Sequence, residues 1–360
     1  MDTSTSPSTS PSTSPSTSPS TSPSTSPSTS PSTSTPDIPT IDLCTWRAGR
    51  PQARDRLAAT VDRALQQSGF LLVTGHGIHR GLPEGIRAAA RAFFQQPAEA
   101  KTPFLGEIGQ YGWSGSEAVA AGRAEGAVTP PDLVETWSVG PCPHHTGAGH
   151  GHLLPASWPS RPGSSHFPPL PSLHCLVVDY THRMRALADE LLQLLAAALR
   201  QPLDFFTRHT ARPDWTLTLN WYPAITVTGA PEPGQFRVGP HTDFGTITIL
   251  DRQQGKGGLQ VHTEENGWQD APYAPDALTV NIGDLMARWT GDRWRAGRHR
   301  VQAPPLDAAA EELTSLVYFY DCDPHTLVES LPAPIGRVSH PPVTARSYVR
   351  AKVAEIAVSC

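Results

Sequence analysis

The stretch that decides the fold is "VGPHTDFGTITIL", residues 238–250. His241 and Asp243 stand two positions apart, directly ahead of a run rich in β-branched residues. In an extended chain, residues i and i+2 point to the same face, so this imidazole and this carboxylate project together while Thr242 points away. Such a pair can hold a metal ion, orient a proton transfer or form a buried hydrogen bond. The three-residue pattern alone does not choose among these roles.

The sequence on both sides of this stretch has the residue pattern of a β domain. Short β-rich runs are separated by turn residues, and this spacing predicts a β-sandwich or barrel that contains the His-x-Asp pair. The runs are "TLTLNWY" (216–222), "GTITIL" (245–250), "GLQVHT" (258–263), "ALTVNIG" (277–283) and "LTSLVYFY" (313–320).

The first half of the chain is mainly helical in pattern. Apolar residues at helical spacing between Leu57 and Leu65 predict a helix that stops near Gly69, and a long leucine stripe predicts a helix over 172–200. Further expected elements are a short strand in 37–43, a buried strand in 70–78, a helix over 84–96 and an irregular loop at 109–115. Helices before strands indicate an α+β chain with a mainly β core.

Two segments have a low-complexity composition. Residues 4–34 repeat "STSP" and offer no apolar side chain to bury, so residues 1–36 are expected to be a disordered leader. Residues 141–171 are rich in Pro, Gly, Ser and His and are expected to form a flexible loop. These segments divide the chain into an N-terminal region, 37–140, and a core region, 172–360.

Composition narrows the possible partners. The net charge is −5 without a dense Lys/Arg block, which argues against nucleic acid or an anionic membrane as partner. The five cysteines are scattered without a CxxC pair, so we expect neither disulfides nor a thiolate zinc site, and a cytoplasmic location fits best. No apolar stretch approaches about 18 residues, the length a membrane helix needs. The oligomeric state stays open.

A third candidate metal ligand follows later in the chain. The segment "RAGRHRVQAPP" (295–305) contains His299. Two histidines and one carboxylate form the facial triad of non-haem Fe(II) oxygenases, in which three protein ligands leave positions open for O2 and substrate. The same three ligands also suit zinc, so the residues alone leave the metal undecided.

Ordered motifs along the chain carry a resemblance to a known family. The core motifs are "NWYP" (220–223), "HTDFGTITIL" (241–250), "GGLQV" (257–261), "IGDLMARWT" (282–290) and "HRVQAPP" (299–305). The earlier ones are "IPTIDL" (38–43), "SGFLLVTGHGI" (68–78), "AFFQQPAEAK" (92–101) and "DLVETWSVGP" (132–141). From about residue 38 to 331, the chain resembles the isopenicillin N synthase-like branch of the Fe(II)/2-oxoglutarate dioxygenases.

This resemblance implies a double-stranded β-helix, or jelly roll, flanked by helices and preceded by an N-terminal helical region. It implies that Fe(II), 2-oxoglutarate and O2 are used to hydroxylate, desaturate or cyclise a small molecule. It carries over His241, Asp243 and His299 as iron ligands. The other implied site residues are Tyr222, Asn220 and Ser315 for 2-oxoglutarate, and Tyr111 and Trp113 for substrate. The Ala-, Arg-, Pro- and Gly-rich composition further suggests secondary metabolism, such as antibiotic biosynthesis.

One position departs from the family pattern. The family has R-x-S on the strand after the second histidine, where the Arg pairs with the distal carboxylate of 2-oxoglutarate. The aligned residues here are Leu313, Thr314 and Ser315, and a leucine cannot replace a charge-assisted, bidentate Arg fork. Alternation puts Leu313, Ser315, Val317 and Phe319 on one strand face, which would be the interior of the barrel.

Several explanations of Leu313 stay open. The favoured one is an arginine from elsewhere, with candidates Arg288, Arg293, Arg298 and Arg337. The others are a different co-substrate, an oxidase that needs no 2-oxo acid and binds substrate directly to iron, or a shifted alignment. A protein that holds a metal without catalysis is a further alternative from another functional class.

Deletion of residues 1–35 is expected to change neither the melting temperature nor the turnover, because this tract buries no apolar surface. Thermal denaturation of the full and shortened chains is the measurement. A decrease of more than a few degrees would mean that the tract docks on the rest of the protein.

Overall fold

We describe a computed structural model of the chain, which covers residues 38–106, 111–116, 118, 120–126, 129–141 and 171–356. The expected disordered leader, 1–36, lies outside these residues. So does the expected flexible loop, 141–171, apart from its two end residues.

The described residues form fourteen β-strands and eight α-helices. The strands are β1 (Thr40–Asp42), β2 (Phe70–Thr74), β3 (Gly112–Ser114), β4 (Glu135–Val139), β5 (Trp215–Tyr222), β6 (Val238–His241), β7 (Ile247–Asp251), β8 (Leu259–Thr263), β9 (Gly267–Asp270), β10 (Leu278–Ile282), β11 (His299–Val301), β12 (Leu313–Tyr320), β13 (Leu327–Val328) and β14 (Val343–Thr344). The helices are α1 (Leu43–Arg47), α2 (Pro51–Gln67), α3 (Gly81–Phe94), α4 (Ala98–Lys101), α5 (Pro171–Ala198), α6 (Ile225–Thr228), α7 (Asp284–Trp289) and α8 (Ala345–Ile356).

Two sheets form the core. The larger has the strand order β1-β2-β10-β7-β12-β5-β4-β3, and the smaller has the order β6-β11-β8-β9. Phe70 and Leu72 of β2 pack with Leu259 and Val261 of β8, so side chains from the two sheets interdigitate. This is the double-stranded β-helix, with helices and an N-terminal region added to the larger sheet.

Strand alternation divides the larger sheet into two faces. Leu219 pairs with Leu316 and Leu217 pairs with Tyr318, and all four side chains are buried in the main apolar cluster with helix α5. The intervening residues point to the opposite face, toward the smaller sheet. The helical half therefore covers one side of the sheet and leaves the other side to the jelly-roll interior.

Most elements expected from the sequence are present. The helix expected over 172–200 is α5, and the runs expected as β-strands are β5, β7, β8, β10 and β12. The expected irregular loop at 109–115 is corrected, because Gly112–Ser114 forms β3 at the edge of the larger sheet. Strands β6 and β11 gave no periodic signal, since they span only four and three residues. No described helix is long and apolar enough to cross a membrane.

Leu194 on α5 is fully buried in the apolar cluster, whereas Leu306 is 72% exposed. We expect Leu194→Ala to reduce the free energy of unfolding by about 2–5 kcal/mol, because it removes packed methyl groups and leaves a cavity. The matched Leu306→Ala is expected to stay within about 0.5 kcal/mol of the parent. Urea denaturation of both variants measures the difference, and equal losses would contradict this packing.

Candidate functional site

Three potential metal ligands come together where the smaller sheet meets the larger one. His241 at the end of β6 and His299 at the start of β11 are direct partners in the antiparallel register. Asp243 follows β6 by two residues. The Nε2 atoms of His241 and His299 lie 3.7 and 3.9 Å from Asp243 Oδ1. Nitrogen and oxygen ligand atoms of all three residues lie within 4.8 Å of one another, a spacing suited to one metal ion.

Backbone carbonyls fix the orientation of both imidazoles. Nδ1 of His241 lies 2.8 Å from the Gly239 carbonyl oxygen, and Nδ1 of His299 lies 2.8 Å from the Gly297 carbonyl oxygen. A carbonyl oxygen can only accept a hydrogen bond, so each Nδ1 carries the proton and donates it. In the neutral ring Nε2 then has a free lone pair, and this is the atom that faces Asp243 in both cases.

The Asp243 carboxylate is held from one side only. Its Oδ2 accepts hydrogen bonds of 2.6 Å from the Thr248 hydroxyl on β7 and of 2.6 Å from the Asn281 amide on β10. Its Oδ1 faces the two histidines. Two strands of the larger sheet therefore set the direction in which the third ligand atom points.

Local electrostatics favour the forms of these residues that bind metal. Burial, and secondarily the nearby His299, lower the pKa of His241. Burial raises the pKa of Asp243, but the two imidazoles and the hydrogen bonds from Thr248 and Asn281 outweigh it and hold that pKa below its usual range. These effects together favour a neutral His241 imidazole beside an ionised Asp243 carboxylate, the protonation states that a bound metal requires.

A buried acid that the sequence analysis missed positions strand β6. Asp132 accepts hydrogen bonds of 2.9 Å from the backbone N–H groups of Ala121 and Gly239. Burial raises the pKa of Asp132 to about 6. A side chain at position 239 would place its Cβ 2.9 Å from the Gly122 nitrogen, so this close approach requires glycine. Asp132 thereby fixes the residue whose carbonyl orients His241.

The residues expected to bind 2-oxoglutarate lie side by side on β5 and β12. Ser315 is the register partner of Asn220, and Leu313 is the partner of Tyr222. Tyr222 is buried, and its hydroxyl lies 3.3 Å from Asn220 Nδ2. Farther along the same strand face, Phe319 pairs with Thr248, the residue that holds Asp243. This face of β12 therefore leads from the candidate metal site to Tyr222, as the alternation predicted.

The four arginines considered from the sequence are all engaged with other partners. Arg288 donates to the Pro341 carbonyl and Arg293 to Asp62. Arg298 donates to Glu125 and Arg337 to Gln66. A different arginine lies beside Tyr222. The Arg237 guanidinium carbon is 5.5 Å from the centroid of the Tyr222 ring. Sequence reasoning missed Arg237 because contact between the residue before β6 and the end of β5 depends on the barrel closing.

The two aromatic residues expected near substrate make packing contacts. Trp113 pairs with Trp137, which pairs with Leu219, and these residues belong to the helix-side apolar cluster. The Trp113 indole N–H donates a hydrogen bond to the Glu135 carboxylate over 2.8 Å. The Tyr111 ring lies against Gly140, where any Cβ would clash with the ring. Trp113 thus lies on the face of the sheet opposite to the candidate metal site.

Comparisons with known proteins agree with this geometry. Residues 38–161 match the family described as the N-terminal region of a non-haem dioxygenase in morphine synthesis, and residues 216–321 match the 2OG-Fe(II) oxygenase superfamily. Validamycin A dioxygenase of Streptomyces hygroscopicus subsp. limoneus is 42% identical over 84% of this chain and 81% of its own. A 2-oxoglutarate-dependent dioxygenase of Trichoderma harzianum is 30% identical over 73% of this chain and 79% of its own. A full-length Neurospora crassa protein, solved in complex with α-ketoglutarate, superimposes with a TM-score of 0.71 at 26% identity over 88% of this chain and 96% of that one.

Asn281→Ala is expected to weaken the binding of a divalent metal by about 10- to 100-fold, because Oδ2 of Asp243 loses one of its two donors and the carboxylate is freer to turn. Asn266 is an exposed turn residue, and Asn266→Ala serves as the matched control. Titration of each protein with Mn(II) gives the affinities. Equal affinity for both variants, at equal melting temperature, would remove Asn281 from the support of the site.

Proposed function

The chain belongs to the 2OG-Fe(II) oxygenase superfamily, and from this membership we propose that His241, Asp243 and His299 bind its ferrous ion. The protein is a non-haem dioxygenase that depends on Fe(II) and 2-oxoglutarate. The observation that carries the assignment of the ligands is their convergence, with two free Nε2 lone pairs and one free carboxylate oxygen directed at one point.

The donor set fits ferrous iron. Imidazole nitrogen and carboxylate oxygen suit this ion, and three ligands on one side leave positions for a co-substrate and O2. Asp243 is 6% exposed, so little solvent reaches the carboxylate. The bound ion supplies the oxidation chemistry, in which O2 converts 2-oxoglutarate to succinate and CO2 and the substrate is oxidised. The protein contributes ligand geometry and a shielded environment.

Neutral donors are available for the carboxylate of 2-oxoglutarate that is distant from iron. Burial raises the pKa of Tyr222, and its contacts with Asn220, Arg237 and Ser315 lower that pKa by less. The phenol therefore stays protonated and can donate a hydrogen bond. We assign Tyr222 and Ser315 as hydrogen-bond donors to this carboxylate. Asn220, whose amide lies against the Tyr222 hydroxyl, orients the phenol.

The substrate is a small molecule, and the relatives point to secondary metabolism. The 42% identical relative acts, by its name, on validamycin A. We propose that this chain oxidises validamycin A or a compound of the same class. Hydroxylation is the default outcome, and desaturation or ring closure would draw on the same oxidising chemistry.

The test is to reconstitute the protein anaerobically with Fe(II) and then add 2-oxoglutarate, O2 and validamycin A. We expect succinate together with a product that carries one additional oxygen atom. Asp243→Ala is expected to abolish succinate formation while leaving the melting temperature within a few degrees, because no fourth protein ligand replaces the lost carboxylate. His241→Ala should behave alike.

The outcomes separate the alternatives. Oxidation of substrate without 2-oxoglutarate would replace this proposal with an iron oxidase that binds its substrate directly. Tight binding of Fe(II) without any consumption of 2-oxoglutarate would indicate a binding protein. Succinate without oxidised validamycin A would retain the enzyme class and exclude this substrate.

A further inference from the structure

Arg237 is the most deeply buried charged side chain near the proposed 2-oxoglutarate site. It is 1% exposed. Its Nη1 donates to Oε1 of Glu311 over 2.7 Å, and its Nη2 donates to the Glu311 backbone carbonyl over 2.9 Å. The guanidinium also lies 5.5 Å from the centroid of the Tyr222 ring. A guanidinium that is ion-paired with Glu311 is therefore fixed beside the residues assigned to the distal carboxylate.

The chemistry of 2-oxoglutarate requires such a charge. The molecule has two carboxylates, and iron can chelate only the one next to the keto group. The other must enter a buried region, where an unpaired anion is strongly disfavoured. Leu313, the register partner of Tyr222, offers only methyl groups. Tyr222 and Ser315 supply hydrogen bonds but no net charge.

Two other cations, Lys101 and Arg252, are held by other groups. Among the described residues, the two buried cationic side chains are Lys101 and Arg237. Lys101 pairs with Glu135 over 2.6 Å, on the helix side of the larger sheet beside Trp113. Arg252, directly after β7, donates to the carbonyls of Ala271 and Pro272, which lead into β10 rather than toward β12. Of these three, Arg237 is the one in contact with Tyr222.

We propose that Arg237 binds the distal carboxylate of 2-oxoglutarate, in place of the arginine that the family carries on β12. This inference rests on the proposed function. A guanidinium has five N–H donors, and the contacts with Glu311 use two. Tyr222, Ser315 and Arg237 together provide two neutral donors and one charged donor around the carboxylate.

Glu311 acts in this arrangement as a positioning residue. Its carboxylate also accepts hydrogen bonds from the backbone N–H groups of Lys256 and Gly257, so the loop between β7 and β8 holds it in place. A carboxylate anchored in this way keeps the buried guanidinium in a single orientation. The negative charge of Glu311 also partly neutralises the positive charge of Arg237.

The experiment compares two 2-oxo acids of equal chain length. Anaerobic Fe(II) protein is titrated with 2-oxoglutarate and with 2-oxopentanoate, which lacks the distal carboxylate, and the visible charge-transfer band of the chelate reports binding. The parent protein is expected to bind 2-oxoglutarate at least about 10-fold more tightly, since a hydrogen bond to a charged group contributes at least this factor.

The informative variant is Arg237→Leu combined with Glu311→Gln, because removal of both charges avoids a stranded buried carboxylate. It is expected to lose about 10- to 100-fold in affinity for 2-oxoglutarate and to bind 2-oxopentanoate as the parent does. The matched control is Arg91→Leu with Glu312→Gln, which removes a partly exposed Arg–Glu pair at the neighbouring position and is expected to change neither affinity.

Three results would overturn the inference, and the third would also contradict the proposed function. Equal affinity of the parent for both acids would show that the distal carboxylate is not recognised. A normal preference in the folded Arg237→Leu/Glu311→Gln protein would show that another group pairs with it. The absence of a band with either acid, in protein that has bound iron, would contradict the proposed function itself.

Discussion

The candidate metal site depends on one carboxylate whose two oxygens face different sheets. Oδ2 of Asp243 is held by Thr248 and Asn281, which belong to neighbouring strands of the larger sheet. Oδ1 faces histidines that stand opposite each other on the smaller sheet. Two hydrogen bonds satisfy Oδ2, whereas Oδ1 is left available to a metal ion. The candidate metal site consequently lies where side chains of the two sheets meet.

The two strands that carry the candidate histidine ligands, β6 and β11, are short. Strands β6 and β11 span four and three residues, and their pairing shifts register between His299 and Val301. A bulge re-aims side chains at the rim of a barrel. The strands need only carry one histidine each, because backbone carbonyls at Gly239 and Gly297 set the ring orientations and Asp132 holds Gly239 in turn.

The strands and the candidate metal ligands carry a signal in the sequence, whereas most of the residues around them do not. Runs of β-branched and apolar residues predict strands β5, β7, β10 and β12. Alternation along an extended chain predicts that His241 and Asp243 share a face. Asn281 carries a weaker signal, as a polar residue inside an otherwise apolar strand. Asp132 and Thr248 carry none, since each matters only through its distance from a residue on another strand.

Arg237 shows why a missing charge is hard to locate from sequence. It lies 74 positions before Glu311, its ion-pair partner, and no local pattern connects the two residues. A buried ion pair gains little net stability over a well-packed apolar pair, because desolvation offsets most of the attraction. Packing alone therefore gives little reason to bury Arg237 and Glu311 beside Tyr222, whereas an anionic co-substrate does. On this proposal, Leu313 is tolerated because Arg237, next to β6 of the smaller sheet, supplies the positive charge and Tyr222 and Ser315 supply the neutral donors.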